Sequence, residues 1–206
     1  MSFLGQALAW GLIPTGAPRS GDSFPTIFKS VTFLVFWCNT TRGLFKNLYP
    51  EARVGLSQFS PTKDNKLKLK DNQVLELEEI KITVWQANGH TNESLVFVLE
   101  QDSQTSIFTG DTLFVGGTGR TDFQIGDSQI LYQSLERILT LSETTIVYPG
   151  HNYQGQTKTT LAVEKLTNPR LKLVLEGKNE EFVSLMNNHK PTKPDIFEES
   201  LRWNSI

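Results

Sequence analysis

Thr105-Ser106-Ile107-Phe108-Thr109 followed by Gly110-Asp111-Thr112, residues 105–112, is the stretch that decides how this chain is read: a β-type run ends and delivers an aspartate immediately beyond it. The same arrangement occurs on either side. Ile80 to Ala87 leads into Gly89-His90-Thr91, and Thr144 to Tyr148 leads into Pro149-Gly150-His151. Three potential ligands, His90, Asp111 and His151, are therefore expected on loops at one rim of a sheet, where a rigid scaffold positions chemistry. Between the second and third blocks lies Gly119-Arg120-Thr121-Asp122-Phe123-Gln124.

Working outward, alternation places Ile80, Ile82 and Val84 on one face of a strand. Arg53 to Ser57, Gln73 to Leu77 and Leu95 to Leu99 read as further strands, the last joined to Thr105–Thr109 by a polar turn around Asp102. Asp127 is placed to cap a helix whose apolar positions are Ile130, Leu131, Leu135, Ile138 and Leu139, with Arg137 near its end. Thr159 to Leu166 reads as a helix that Asn168-Pro169 ends. A last helix after Asn179 is expected to bury Phe182, Leu185 and Met186. Leu44, Leu48 and Tyr49 indicate a short helix stopping before Pro50.

Composition bounds the rest. At 206 residues and 38% hydrophobic content, one domain with a substantial core is the expected class. A net charge of −2 without a long basic run gives no footprint for nucleic acid. The longest apolar run, Val31 to Cys38, is far short of the roughly 20 residues a membrane helix needs. The lone Cys38 permits no intramolecular disulfide and reads as a small buried hydrophobe. Residues 1–42 scatter Gly, Pro, Ser and Phe without a period and form a divergent segment, distinct from a domain over 43–206. The first fifty residues contain one acidic side chain, Asp22, a faint likeness to an organellar presequence.

Two imidazoles and a carboxylate supply the N and O donors that suit non-haem Fe(II) with open positions. With other supporting ligands the same types hold Zn(II) and activate water. His189, outside every block, reads as structural.

From about Gly43 to about Pro194 the order of these blocks resembles the metallo-β-lactamase superfamily. The Gly-Arg-Thr-Asp-Phe-Gln block, His151-Asn152-Tyr153 and Asn168-Pro169-Arg170 resemble its glutathione-dependent persulfide dioxygenase branch. The resemblance implies an αββα sandwich, here incomplete on its amino-terminal side. It also implies oxidation of glutathione persulfide to glutathione and sulfite with one Fe(II) and O2, and it allows a homodimer. His90 and Asp111 would be two of three iron ligands, with His151 beside the metal or substituting as a ligand. Thr91, Arg120, Tyr153 and Arg170 would hold the glutathione part, guanidinium groups being suited to its carboxylates. Each arginine has a structural alternative: Arg120 pairing with Asp122 or Asp127, and Arg170 capping a helix end.

The family's T-H-x-H-x-D-H segment, which carries the third ligand, does not occur. Phe36 to Arg42 stands in its place, so His151 or water is expected to complete an iron site. The alternatives are a glyoxalase II-type zinc hydrolase of glutathione thioesters and an inactive, truncated or diverged member. Relatives imply the mitochondrial matrix in a eukaryote and the cytoplasm otherwise.

Overall fold

The alternation read at Ile80 emerges as a strand one in from the edge of a six-stranded sheet. The computed structural model describes residues 33–34, 53–61, 67–77, 80–101, 103–122, 125–151, 153 and 155–189. Apart from Phe33–Leu34, the segment 1–42 lies outside these, as do the helix expected around Leu44 and Tyr49 and the polar turn residue Asp102.

Two compact units divide the chain. One comprises Met1–Leu56, Thr62–Lys68 and Pro194–Ile206. Its described part holds β1 (Phe33–Leu34), paired in parallel with β2 (Arg53–Ser57), Phe33 lying opposite Arg53. The other comprises Ser57–Pro61 and Leu69–Lys193 and carries the six-stranded sheet. At its start the Gln58 N–H donates to the Leu69 carbonyl at the end of β3 (Leu67–Leu69), at 2.9 Å.

The larger sheet contains β4 (Val74–Leu77), β5 (Ile80–Gln86), β6 (Leu95–Gln101), β7 (Gln104–Gly110), β10 (Ile146–Pro149) and β11 (Thr159–Thr160), in the order β11-β10-β7-β6-β5-β4. Strands β4 to β7 form an antiparallel meander, and β10 adds in parallel to β7. Between β7 and β10 come a short hairpin, β8 (Leu113–Phe114) with β9 (Gly117–Thr118), and helix α1 (Ser128–Leu139).

Register assigns the faces. Thr83, Val98, Ile107 and Val147 stand side by side in one row, and Ile82, Leu99, Ser106 and Ile146 in the next. Val98, Ile107 and Val147 join Leu131, Leu135 and Ile138 of α1 in a single buried cluster. Each such side chain contributes about 1.5–3 kcal/mol by leaving water. Ile82, Val84 and Leu99, on the opposite face, are also buried, so the sheet is an inner layer made for cover on both sides.

Asp127 caps α1 as expected, its carboxylate accepting from the Gln129 and Ile130 N–H groups. Three helices follow β10: α2 (Leu161–Thr167), α3 (Pro169–Leu175) and α4 (Asn179–Asn188). Asn168 ends α2 as read, but it also opens α3, which the sequence reading does not contain. Its side chain accepts from Arg170 and Leu171 N–H groups, with Pro169 at the first helical position. Ile130 and Leu185, expected in the core, are each 40% exposed, because they sit at the margins of apolar stripes centred on Leu131 and Leu135 in α1 and on Phe182 and Met186 in α4. Phe182 closes its helix onto α1 through Tyr132, the rings 5.4 Å apart at 72°.

Candidate metal centre

Because β5 and β7 both run antiparallel to β6, and β10 runs parallel to β7, the carboxyl ends of β5, β7 and β10 lie along one rim. His90 follows β5, Asp111 directly follows β7, and His151 follows β10. The topology thus brings three sequence-distant residues to adjacent loops.

Asp111 is the fixed point. Thr109 Oγ1 donates to the Leu113 carbonyl at 2.7 Å, and the Thr112 N–H donates back to the Thr109 carbonyl at 3.0 Å, closing a tight turn around the carboxylate. Thr112 Oγ1 reaches the Ala87 carbonyl at 3.4 Å, linking that turn to the chain leading to His90. On the other side, the Gly150 N–H donates to the Gly110 carbonyl at 2.7 Å. A β-carbon at position 150 would lie 2.5 Å from Asp111 Oδ1, so only glycine allows this approach.

His90 is held from behind. Its Nδ1 is 2.6 Å from the Arg120 carbonyl oxygen, which can only accept, so Nδ1 carries the proton. The other nitrogen, Nε2, stands 3.5 Å from Asp111 Oδ2. On the far side of the carboxylate, His151 Nε2 is 3.2 Å from Asp111 Oδ1. The hydrogen bond to Asp111 raises the His151 pKa, burial opposes the shift, and the carboxylate charge adds to it. Phe114 meets His151 edge-on at 5.8 Å, and Tyr153 stacks on it at 5.3 Å.

The donor chemistry fits a divalent metal. With Nδ1 held by the Arg120 carbonyl, His90 presents Nε2 on the side of an Asp111 carboxylate oxygen, and imidazole nitrogen with carboxylate oxygen is a donor pair that divalent metals take. The backbone carbonyl behind the ring is the partner metal-bound histidines usually have. The set is nonetheless no closed cage: among the described residues no three His, Cys, Asp or Glu side chains form one, and the two imidazoles meet different oxygens of Asp111. A metal would take His90 and Asp111, with His151 at the carboxylate's other oxygen. Residues 36–42, where the family's third ligand belongs, lie outside the described residues.

The four residues expected to hold substrate are placed differently from one another. Tyr153 stands 73% exposed at the rim beside His151. Thr91 is buried in its own loop, its hydroxyl against Ser94 Oγ at 2.9 Å. The Arg120 guanidinium makes two 2.6 Å hydrogen bonds to Asp122, the structural alternative weighed above. Those bonds come first in holding the Asp122 carboxyl below its usual range, burial opposing. Arg170 does not cap a helix end; Nη1 donates to the Thr118 carbonyl at 2.7 Å and to its hydroxyl at 3.0 Å, and burial lowers its pKa. The His189 backbone N–H caps α4.

The sequence reading takes Asn168 as a helix stop and part of the Asn-Pro-Arg block and does not single out Glu164; both are fully buried and bond to the β8–β9 hairpin. The only signal in the sequence was the Asn-Pro pair, which marks a helix start as well as a stop.

Comparison with known proteins bears on the family and the fold. The chain is 36% identical over 156 residues to the human mitochondrial persulfide dioxygenase ETHE1, covering 75% of this chain and 59% of that protein. It therefore spans less than two thirds of the length of such relatives. It is also 37% identical over 109 residues to a hydroxyacylglutathione hydrolase from Tolumonas auensis, covering 52% of this chain and 40% of that one. Among solved structures, ETHE1 from Myxococcus xanthus superposes with a TM-score of 0.69 at 35% identity, covering 79% of this chain and 68% of that one. The fold is accordingly of the metallo-β-lactamase type. Residues 45–151, more than half of the sequence, match the family described as the metallo-beta-lactamase superfamily, and the chain belongs to it.

Proposed function

We propose that this chain is a persulfide dioxygenase-type protein that converts glutathione persulfide, O2 and water to glutathione, sulfite and two protons. The observation that carries the reading is the rim where His90 and Asp111 face each other, within a 156-residue similarity to persulfide dioxygenases. Fe(II) held there by His90 and Asp111, with His151 or water completing the set, would supply O2 activation.

The chain's own residues set the geometry. The Arg120 carbonyl fixes the His90 tautomer, and the Thr109–Thr112 turn fixes Asp111. His151, with Phe114 edge-on and Tyr153 stacked on it, stands at the second carboxylate oxygen, and it or water would complete the set that Phe36–Arg42 does not supply. Tyr153 offers an exposed phenol to the glutathione part of the substrate. Arg120 reaches a glutathione carboxylate by exchanging it for Asp122. Residency in the mitochondrial matrix, if the source is eukaryotic, belongs to the same proposal. The thioester hydrolase reading is less supported, since its similarity covers 52% of the chain against 75%.

The test is anaerobic reconstitution with Fe(II), beside a His90→Ala control. Stoichiometric iron lost in the control, together with persulfide-dependent oxygen uptake, supports the proposal. Failure to retain iron, or retained zinc with thioester hydrolysis, overturns it.

A further inference from the structure

Glu164 is a carboxyl side chain with no exposure, and among the described residues it has no ion pair and its Oε1 no hydrogen-bond partner. Burying such a group is costly, so what it holds in place calls for an explanation. Its other oxygen, Oε2, accepts from the Gly116 N–H at 2.9 Å and from Asn168 Nδ2 at 2.9 Å. Asn168 Nδ2 also donates to the Gly117 carbonyl at 3.1 Å, and Arg170 donates to the Thr118 carbonyl at 2.7 Å. Three side chains from the α2–α3 corner thus grip three successive backbone units of the hairpin.

What the hairpin carries explains the grip. Two residues past Thr118 is the Arg120 carbonyl that holds His90 Nδ1 at 2.6 Å. Gly119 between them is packed so closely that an added β-carbon would lie 3.0 Å from that same nitrogen. The hairpin has only two residues in each strand and four hydrogen-bonding backbone units to pair, too few to hold its exit strand alone.

We propose that Glu164 and Asn168 are positioning residues for His90: by fixing Gly116 and Gly117 they fix the Arg120 carbonyl, and so commit His90 to the Nδ1–H tautomer with Nε2 toward Asp111. The inference rests on the metal-site reading for its consequence but not for its measurement, because the tautomer exists with or without a metal.

The experiment is nitrogen-15 NMR of the full chain labelled at histidine, at a pH about two units above the ordinary imidazole pKa. With only His90, His151 and His189 present, assignment follows from the His151→Gln and His189→Gln variants. Wild type and Glu164→Gln, which keeps the acceptor, should show the Nδ1–H signature at His90 and the same Co(II) affinity. Glu164→Met, and Asn168→Ser, which keeps the cap of α3, should lose that signature and weaken Co(II) about 10–100-fold while circular dichroism stays native. A folded Glu164→Met or Asn168→Ser chain with the wild-type tautomer overturns the proposal, as does a Glu164→Gln chain that behaves like Glu164→Met. Absence of persulfide oxidation would instead count against the catalytic reading and leave this one standing.

Discussion

Replacing Gly119 by alanine tests the site's architecture with one carbon atom. The added β-carbon would stand 1.9 Å from the Asp111 carbonyl oxygen and 3.1 Å from its carbon, where ordinary contact begins at 3.4 Å. The hairpin exit must therefore move by about 1.5 Å, against backbone and not against a yielding side chain. Overpacking of this kind costs about 1–3 kcal/mol, and the gain from a less flexible unfolded chain, about 0.4–1 kcal/mol, offsets only part. A net loss of about 2 kcal/mol is expected in urea unfolding. The same movement would carry the Arg120 carbonyl from 2.6 Å to beyond hydrogen-bonding distance of His90 Nδ1, and Co(II) affinity should fall about 10–100-fold. Gly117, two residues earlier, is the control: a β-carbon there meets nothing within 4 Å. Gly117→Ala should stay within about 0.5 kcal/mol of wild type. Wild-type stability and metal affinity in Gly119→Ala, or equal damage from both substitutions, would refute the reasoning.

Other perturbations reach separate parts of the same unit. His151→Ala should weaken Co(II) about 10–100-fold in equilibrium dialysis, while His90→Ala, which removes the nitrogen facing Asp111, should abolish retention on desalting. Arg137 donates to Asp71 at 2.7 Å and to Asn72 at 2.6 Å and lies 4.4 Å from the Trp85 ring centroid, so Arg137→Ala should cost about 1 kcal/mol by chemical denaturation, a figure kept small because the pair is partly exposed. Burial raises the Asp71 pKa, but the Gln86 N–H and Arg137 outweigh it and the net shift is downward. That stability is present above the ordinary 3.8 and lost as pH falls through the lower folded value, so Asp71→Asn should flatten the acid limb of stability against pH in that window. Asp127→Ala, which strips two N–H groups at the start of α1 of their acceptor, should lower stability by about 1 kcal/mol in thermal unfolding.

How far the sequence spoke depended on whether a residue's partner was local. Alternation along Ile80–Val84 and the Asp127 cap are set by neighbours within a few positions, and both appear in the structure as read. Ile130 and Leu185 have the right spacing, but a helix periodicity defines a stripe and not its width, so its edges were misjudged. At the site, the order of the Gly-His, Gly-Asp and Gly-His blocks after β-type runs was enough to bring His90, Asp111 and His151 together. The roles of the arginines were harder to see. Asp122 lies two positions from Arg120, and either a pairing or a substrate contact satisfies that spacing. Thr118 lies 52 positions from Arg170, and nothing local announces the pairing. Glu164 has the look of a solvent-facing helix residue, and only the packed structure shows it inside.

The parallel seating of β10 on β7 has a consequence for the order in which the protein comes together. The meander from β4 to β7 closes through short connections, whereas pairing Ser106 with Ile146 must wait for a chain of about 40 residues to loop back over α1. His90 and Asp111 ride on strands of the early meander, and His151 arrives with the late strand. A metal ion present during refolding would therefore meet a half-built site first. Capture of His151 would then be coupled to the slow topological step, so that refolding with Co(II) should show a colour change that lags behind the gain of β-sheet circular dichroism.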